Sequence, residues 1–287
     1  MERGVGTGEG MAGPVVLSAG MSHRAMTDRI LEAADLAGSR AALVDATDGS
    51  VTAWPRFARI VRAAACGLAR RGLAEGDTAG VLVQDAASAA IAVNAIRAAG
   101  AAVCLIDASA DPADIAARLN ACGARLLITS AALAGLAAEA ADRSRVRQVV
   151  AFGEAPGTTP FSSLLSASQP STATDEPGRP KEGNGLTDQH VLAPEGDEGP
   201  VPPPLAEDGT GPGGLTYRDV VVAAPPCGDG QAYTSLLDLA LLAGATLVAA
   251  PVTLVTAAVR VYQGTAAIVP RGTQVPGLPP ELVFPVA

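Results

Sequence analysis

The most regular part of the chain, residues 57–129, reads FARIVRAAACGLARRGLAEGDTAGVLVQDAASAAIAVNAIRAAGAAVCLIDASADPADIAARLNACGARLLIT. Its first segment places apolar residues such as Phe57, Val61 and Leu68 at three- and four-residue spacing. That spacing predicts a helix with one buried face. Gly72 follows this helix, where a glycine in the left-handed conformation is a common helix stop.

The same stretch continues as an alternation of short apolar runs and helical segments. The runs AGVLVQ, AAVCLI and RLLIT are short and rich in valine, leucine and isoleucine, as expected of strands that are covered on both faces. SAAIAVNAIRAAG, between the first two runs, predicts a buried helix ending at Gly100. Asp111 and Pro112 predict the start of the next helix, because Asp is a favoured N-cap and Pro fits the first helical position.

Regular patterns extend on both sides of this stretch. TDRILEAADLAG predicts a helix capped by Thr27 or Asp28, and AALVD and SVTAW predict a hairpin around Asp48 and Gly49. Beyond Gly214 the pattern again alternates strand and helix, which implies crossover connections. The sequence therefore predicts an α/β protein with a doubly wound, mainly parallel sheet and helices on both faces.

The order of these patterns suggests a division of the chain. We expect a disordered N-terminus, a first α/β subdomain, an acidic segment rich in proline and glycine, a partial second subdomain, and a proline-rich tail without a further element. The corresponding ranges are 1–25, 26–165, 166–214, 215–271 and 272–287.

The charge of the chain is unevenly distributed. The formal net charge is -9, and between Glu154 and Gly214 ten acidic residues face two basic ones. The rest of the chain is close to neutral and aromatic residues make up 3%, which argues against a nucleic-acid-binding surface. No apolar run approaches the roughly 20 residues of a membrane span, so we expect a cytoplasmic protein without membrane contact.

The four cysteines carry no metal-binding pattern. Cys66, Cys104, Cys122 and Cys227 lack CxxC spacing and are expected to be buried, reduced thiols. We predict no metal site. Cys227 could be considered a nucleophile, but no histidine is close to it in the sequence.

Two acidic residues follow strand ends, where α/β proteins commonly place ligand-binding groups. Asp85 comes after AGVLVQ and Asp107 after AAVCLI. Each could instead cap a helix or lie in a solvated turn, and both alternatives remain open from the sequence.

A family resemblance rests on the words GLARRGLAEGDTAGVLVQ and IRAAGAAVCLIDASADPADIAARLNACGARLLIT, and on LLAGATLV further on. They resemble the N-terminal region of adenylate-forming acyl ligases, particularly 4-coumarate:CoA ligase-like and acyl-CoA synthetase-like members. The resemblance covers residues 41–165 and resumes over 216–271. It implies the fold of the N-terminal subdomains of those ligases.

The family's phosphate loop has the form SSGTTGxPKG, in which glycines, hydroxyls and a lysine hold the phosphates of ATP. The most similar segment here is STATDEPGRPKEG, residues 171–183, and it contains Lys181, the only lysine of the chain. The resemblance implies that a degenerate phosphate loop is formed by Thr172, Thr174, Gly178, Lys181 and Gly183.

This text departs from the family pattern. Ala173 replaces a glycine, and Asp175 and Glu176 place negative charge where phosphate would lie. A further family word, LTH, resembles LTDQH with His190. The turn after the strand DVVVAA reads PPCGDG where the family has an FFH-type turn.

The family's later sections have no counterpart in the chain. These are the adenine- and metal-binding loop, the ribose-binding aspartate and the C-terminal domain with its catalytic lysine. The resemblance therefore implies a truncated ligase-like protein without independent catalysis and with no assigned catalytic residue.

Two alternatives remain. One is an active ligase using ATP, magnesium and coenzyme A, completed by a partner chain that supplies the missing portion. The other is a non-catalytic module that binds a small ligand or a protein and forms a homo-oligomer.

Overall fold

The computed structural model describes residues 22–166 and 215–286. The helices in these two segments are α1 (His23–Leu36), α2 (Trp54–Arg70), α3 (Ala86–Ala98), α4 (Pro112–Ala121), α5 (Ala134–Asp142), α6 (Ser162–Leu165), α7 (Gly230–Leu242) and α8 (Val255–Val261). The strands are β1 (Ala41–Asp45), β2 (Val51–Ala53), β3 (Thr78–Leu82), β4 (Ala102–Leu105), β5 (Leu126–Ser130), β6 (Gln148–Phe152), β7 (Thr159–Pro160), β8 (Val220–Ala223), β9 (Thr246–Ala249), β10 (Ala266–Pro270) and β11 (Val283–Val286).

The strands form two sheets. The six-stranded sheet has the order β11-β10-β8-β9-β1-β2, and the five-stranded sheet has the order β4-β3-β5-β6-β7. Every pairing is parallel except that of β1 with β2. The α/β class with parallel sheets flanked by helices is confirmed, and the strands are divided between two sheets.

The division into sheets differs from the division along the sequence. β1 pairs with β9, as Leu43 lies opposite Leu247 in the register. The hairpin near the start of the chain thus belongs to the sheet built by residues 220–286. The acidic segment separates two stretches of sequence, but it does not separate the two sheets.

The apolar residues are arranged in layers. Val221 of β8 and Val81 of β3 belong to the large core between the two sheets, which also contains residues of α1, α2, α3 and α7. The alternating neighbours point outward: Val222 packs with residues of α8, and Leu82 packs with residues of α4 and α5. Because strand side chains alternate between faces, each sheet is covered on both sides.

Several local predictions are confirmed. Gly72, Gly100 and Gly123 follow α2, α3 and α4 with φ of 91°, 86° and 70°. The side chain of Asp111 caps α4 by accepting hydrogen bonds from the backbone N–H groups of Ala113 and Asp114. These signals depend on a few adjacent residues, so the sequence shows them directly.

The predicted start of the first helix is wrong. α1 begins at His23, with Ser22 as N-cap accepting from the N–H of Ala25, so residues 23–25 are helical. Thr27 is buried inside the helix, and its hydroxyl donates to Oδ1 of Asn94 at 3.0 Å. It serves as a tertiary contact to α3 and not as a cap.

The expectation of no further element after Arg271 is also wrong. β11 pairs in parallel with β10 and places Pro285 opposite Val269. A proline fits there because β11 is the outermost strand of its sheet, where one side of the backbone needs no partner strand. The two-residue strand β7 was not predicted either.

A buried ion pair joins α3 to α7. Nη1 of Arg97 donates to both carboxylate oxygens of Asp238, at 2.8 and 2.7 Å. The two side chains are 5% and 2% exposed. Burial raises the pKa of the Asp238 carboxyl, and the adjacent guanidinium acts in the opposite direction. The pair connects residues 141 positions apart within the middle helical layer.

The chain is anchored on both sides of the acidic segment. α6 packs so closely on α2 that a Cβ on Gly67 would lie 2.5 Å from the carbonyl oxygen of Leu164. On the other side, Nη1 of Arg40 donates to the carbonyl oxygen of Tyr217 at 3.0 Å. Both contacts fix backbone positions within a few residues of the segment's ends.

Replacing Arg97 by Met should lower the free energy of unfolding by about 3–5 kcal/mol, because it leaves the Asp238 carboxylate buried without its partner. The double variant Arg97→Met/Asp238→Leu should regain most of this loss. Urea denaturation measures both values. Arg62→Met breaks the exposed pair with Asp35 and should change stability by less than about 1 kcal/mol. Equal free energies of unfolding for Arg97→Met and the double variant would contradict the view that the cost comes from an unpaired buried Asp238.

Replacing Gly67 by Ala should destabilise the protein by about 1–3 kcal/mol, because the added methyl overlaps the backbone of Leu164. Gly135→Ala in α5 is the matched control. No atom lies within 4 Å of its added Cβ, so helix propensity should stabilise the protein by up to about 1 kcal/mol. Thermal unfolding of the two variants should shift in opposite directions, and a parallel shift would refute the packing argument.

Candidate functional site

The residues assigned to the phosphate loop lie outside the described part of the chain. These are Thr172, Thr174, Gly178, Lys181 and Gly183. His190 of LTDQH lies in the same segment. Their roles therefore stay predictions from the resemblance.

The structure does describe the strand ends around which a site in this fold would form. Asp85 follows β3, Asp107 follows β4, and the turn at residues 224–229 follows β8. Parallel strands bring their carboxyl ends to one edge of each sheet. The N–H of Gly228 donates to Oδ2 of Asp107 at 3.0 Å, so strand ends from the two sheets meet at this point.

Asp107 organises its own turn. Its Oδ1 accepts hydrogen bonds from the N–H of Ser109 at 2.8 Å and from the Ser109 hydroxyl at 2.7 Å. Burial raises its pKa, but the hydrogen bonds from Ser109 and Gly228, together with the positive charge of Arg118, outweigh burial and lower the pKa below its usual value. Asp107 is therefore an ionised carboxylate whose oxygens already hold the turn and the neighbouring loop.

Asp85 serves as the N-cap of α3. Its carboxylate accepts a hydrogen bond from the N–H of Ser88 at 2.6 Å. Burial raises the pKa of this carboxyl, and the negative charge of Asp45 at the end of β1 adds to the shift. Of the two alternatives left open by the sequence, the helix cap describes what Asp85 does in the structure.

Cys227 lies half-buried in the turn between β8 and α7. Burial raises the pKa of its thiol, and the charge of Asp107 raises it further. Both effects keep Cys227 a neutral thiol at neutral pH, whereas a nucleophile requires the thiolate. Behind the turn, the buried hydroxyl of Tyr233 donates to the carbonyl oxygen of Ala224 at 2.5 Å and ties α7 to the end of β8.

The prediction that all cysteines are buried is wrong for Cys66. Its side chain falls on the exposed side of α2, while Cys104, Cys122 and Cys227 are half-buried. Burial, together with the adjacent thiol of Cys122, raises the pKa of Cys104 to about 12. All four cysteines are free thiols.

The described strand ends do not fit the triphosphate and magnesium that the resemblance implies. Asp107 carries a negative charge and would repel phosphate. Within residues 22–166 and 215–286, no three His, Cys, Asp or Glu side chains are grouped as metal ligands. In the described segments, moreover, no helix combines the length and the hydropathy required to cross a bilayer.

Comparison with solved structures shows the same architecture in acyl ligases. A long-chain-fatty-acid-CoA ligase from Archaeoglobus fulgidus matches with a TM-score of 0.62 and 17% identity, over 85% of this chain and 51% of the ligase. A benzoate CoA ligase from Burkholderia xenovorans LB400 matches with a TM-score of 0.62 and 18% identity, over 85% and 50%.

MbtA from Mycobacterium smegmatis gives a TM-score of 0.62 and 21% identity, over 85% of this chain and 48% of its own. At these identities the likeness concerns the fold. The chain spans about half the length of these proteins.

The family assignment rests on comparison of the sequence with protein families. Among curated proteins, no sequence matches the chain. The family described as AMP-binding enzyme matches residues 31–208, which is more than half of the chain and includes most of the core described above. The chain therefore belongs to the AMP-binding enzyme family, the family of adenylate-forming ligases.

Proposed function

We propose that this chain is a ligase-like scaffold that does not activate a carboxylate on its own. The observation that carries the proposal is the contrast between the family match over residues 31–208 and the altered text of the phosphate loop. The sequence segments that resemble the family's core are retained, whereas the residues that would hold ATP are changed.

The loop substitutions act through charge and backbone geometry. Asp175 and Glu176 introduce two carboxylates into a loop that would surround a triphosphate, with Lys181 and Arg179 as the nearby bases. Like charges a few ångströms apart cost on the order of 1 kcal/mol or more each near a protein surface. Ala173, in place of a glycine, restricts the backbone where N–H groups must approach the phosphates. Each change weakens anion binding.

The strand-end geometry supports the same proposal. The turn after β8 holds a protonated Cys227, and Asp107 is occupied by hydrogen bonds from Ser109 and Gly228. These groups stabilise the junction of the two sheets. Among the described residues at the junction, neither is free to serve as a base or a nucleophile.

The isolated chain should show no ATP–pyrophosphate exchange above the blank with a panel of aryl and fatty acids. The variant Asp175→Asn/Glu176→Gln should bind magnesium-ATP at least about tenfold more tightly in calorimetry, because two repulsive charges are removed. Glu207→Gln/Asp208→Asn makes the same charge change elsewhere in the acidic segment and should leave affinity unchanged. Robust exchange by the unmodified chain would overturn the proposal.

A second candidate function is favoured by the length comparison. The chain spans about half of the ligases that share its fold, and in this candidate a partner chain supplies the remaining portion. In that assembly, ATP with magnesium would bind at residues 171–183, and coenzyme A would accept the acyl group.

In this second case Lys181 contacts phosphate. With the partner present, Lys181→Ala should weaken magnesium-ATP binding by about tenfold or more, since a charge-assisted contact is lost. Arg179→Ala removes a charge two residues away and tests whether the effect belongs to the lysine position. Unchanged ATP affinity in Lys181→Ala rejects this candidate and leaves the first.

A further inference from the structure

A cavity of about 690 Å³ runs along the outer edge of β4. Among the strands in residues 22–166 and 215–286, β4 is the end strand of its sheet and pairs only with β3. The opposite wall is formed by the first turn of α7 (residues 229–234) and the start of α1 (residues 22–24). α7 closes one end of the cavity, since a Cβ on Gly230 would lie 2.7 Å from the carbonyl oxygen of Leu105. This cavity is not part of the strand-end junction of Asp107 and Gly228.

Arg97 lies in the wall of this cavity, and Nη1 is the guanidinium nitrogen that bonds to Asp238. The residue is 4% exposed, and Nη1 supplies both of its hydrogen bonds to Asp238. Nε and Nη2 donate to no residue in the described part of the chain. Neither atom is among the fully buried side-chain atoms that lack a partner, so both remain accessible on the side of Arg97 that lines the cavity. The Nε–Nη2 edge therefore offers two parallel donors to an occupant of the cavity.

Further polar groups line the same space. Arg118 of α4 reaches it without an ion pair to any described residue, and His23 and Gln231 contribute an imidazole and an amide. The buried hydroxyl of Thr234 also lines the cavity, but it already donates to the carbonyl oxygen of Gln231 at 3.0 Å. α1 and α7 both begin at the cavity, so their positive ends lie beside it.

The acidic residues around the cavity are already engaged. Glu75 lies 3.8 Å from Nη1 of Arg24, measured from its Oε2. Asp229 caps α7 by accepting from the N–H of Gln231. Asp238 is held by Arg97. Arg118 lines the same cavity and has no ion-pair partner within 4 Å among the described residues, although its charge also acts on Asp107.

We propose that this cavity binds the oxyanion group of a small molecule, either a carboxylate or a phosphate. The Nε–Nη2 edge of Arg97 binds two of its oxygens, because the planar guanidinium matches the geometry of these groups. Arg118 supplies a second positive charge. Asp238 positions the guanidinium by occupying Nη1. The buried ion pair therefore holds the binding group in place and also links α3 to α7.

The test uses the full chain labelled with ¹⁵N and titrated separately with inorganic phosphate and acetate, with chloride adjusted to constant ionic strength. The amide signals of Gly230 and Thr234 should shift and saturate. Arg97→Lys keeps a charge beside Asp238 but lacks the two-donor edge, and should weaken binding at least tenfold. Arg118→Gln should weaken it by a smaller factor. Arg260→Gln, an exposed change on α8, should leave the affinity unchanged.

Saturable binding of one anion alone supports the proposal and restricts the ligand to that class. If Arg97→Lys fails to fold, the anion affinity of the Arg118→Gln variant tests the proposal by itself. Absence of saturable shifts, or equal affinities in the unmodified chain and the Arg118→Gln variant, overturns the proposal. Neither result would bear on residues 171–183, so the outcome is separable from that of the ATP experiments.

Discussion

A buried ion pair, Arg97 with Asp238, sets how the two sheets face each other through their shared helical layer. Helices α1, α2, α3 and α7 contribute residues to the core that also contains strands of both sheets. Removing two charges from water costs several kcal/mol each, and their attraction roughly offsets this. The pair therefore adds little net stability. Its contribution is alignment, because only one placement of α3 against α7 satisfies both ions.

Much of the fold could be predicted from the sequence where the signal is local. The glycines after α2, α3 and α4 and the Asp111 cap involve adjacent residues, and helical spacing needs only one buried face. Partner choice between strands is not local. Nothing in AALVD indicates that β1 pairs with β9, some two hundred residues later. β11 is not indicated by the sequence, because Pro285 argues against a strand and only the position of β11 at the sheet edge removes that objection.

The candidate site was less predictable for a related reason. Asp85 and Asp107 were correctly noticed as following strand ends, but their roles depend on which groups approach them. Asp107 receives the N–H of Gly228, which belongs to the other sheet. The cavity beside β4 was not predicted, because its wall combines Arg97, Arg118 and two helix starts from distant parts of the sequence. The phosphate-loop residues remain a prediction based on resemblance.

Family membership and the proposed loss of activity depend on different residues of this chain. Within residues 31–166, the match to AMP-binding enzymes covers helices and strands of the buried core. Adenylation needs a small number of charged and flexible residues, and residues 171–183, which resemble the phosphate loop, differ from the family pattern at Ala173, Asp175 and Glu176. A fold can thus persist while its anion-binding chemistry changes, since burial of valine and alanine does not depend on the sign of a loop charge.

The anchoring of Leu164 on Gly67 and of Tyr217 on Arg40 has a consequence for the connectivity of the chain. The two described segments are joined by a shared sheet, a shared core and a buried ion pair, all of them noncovalent. Peptide continuity between them contributes mainly a high effective concentration. Two separately expressed fragments, cut between those anchors, would carry complementary surfaces and could reconstitute the same body, as in a split-protein reporter.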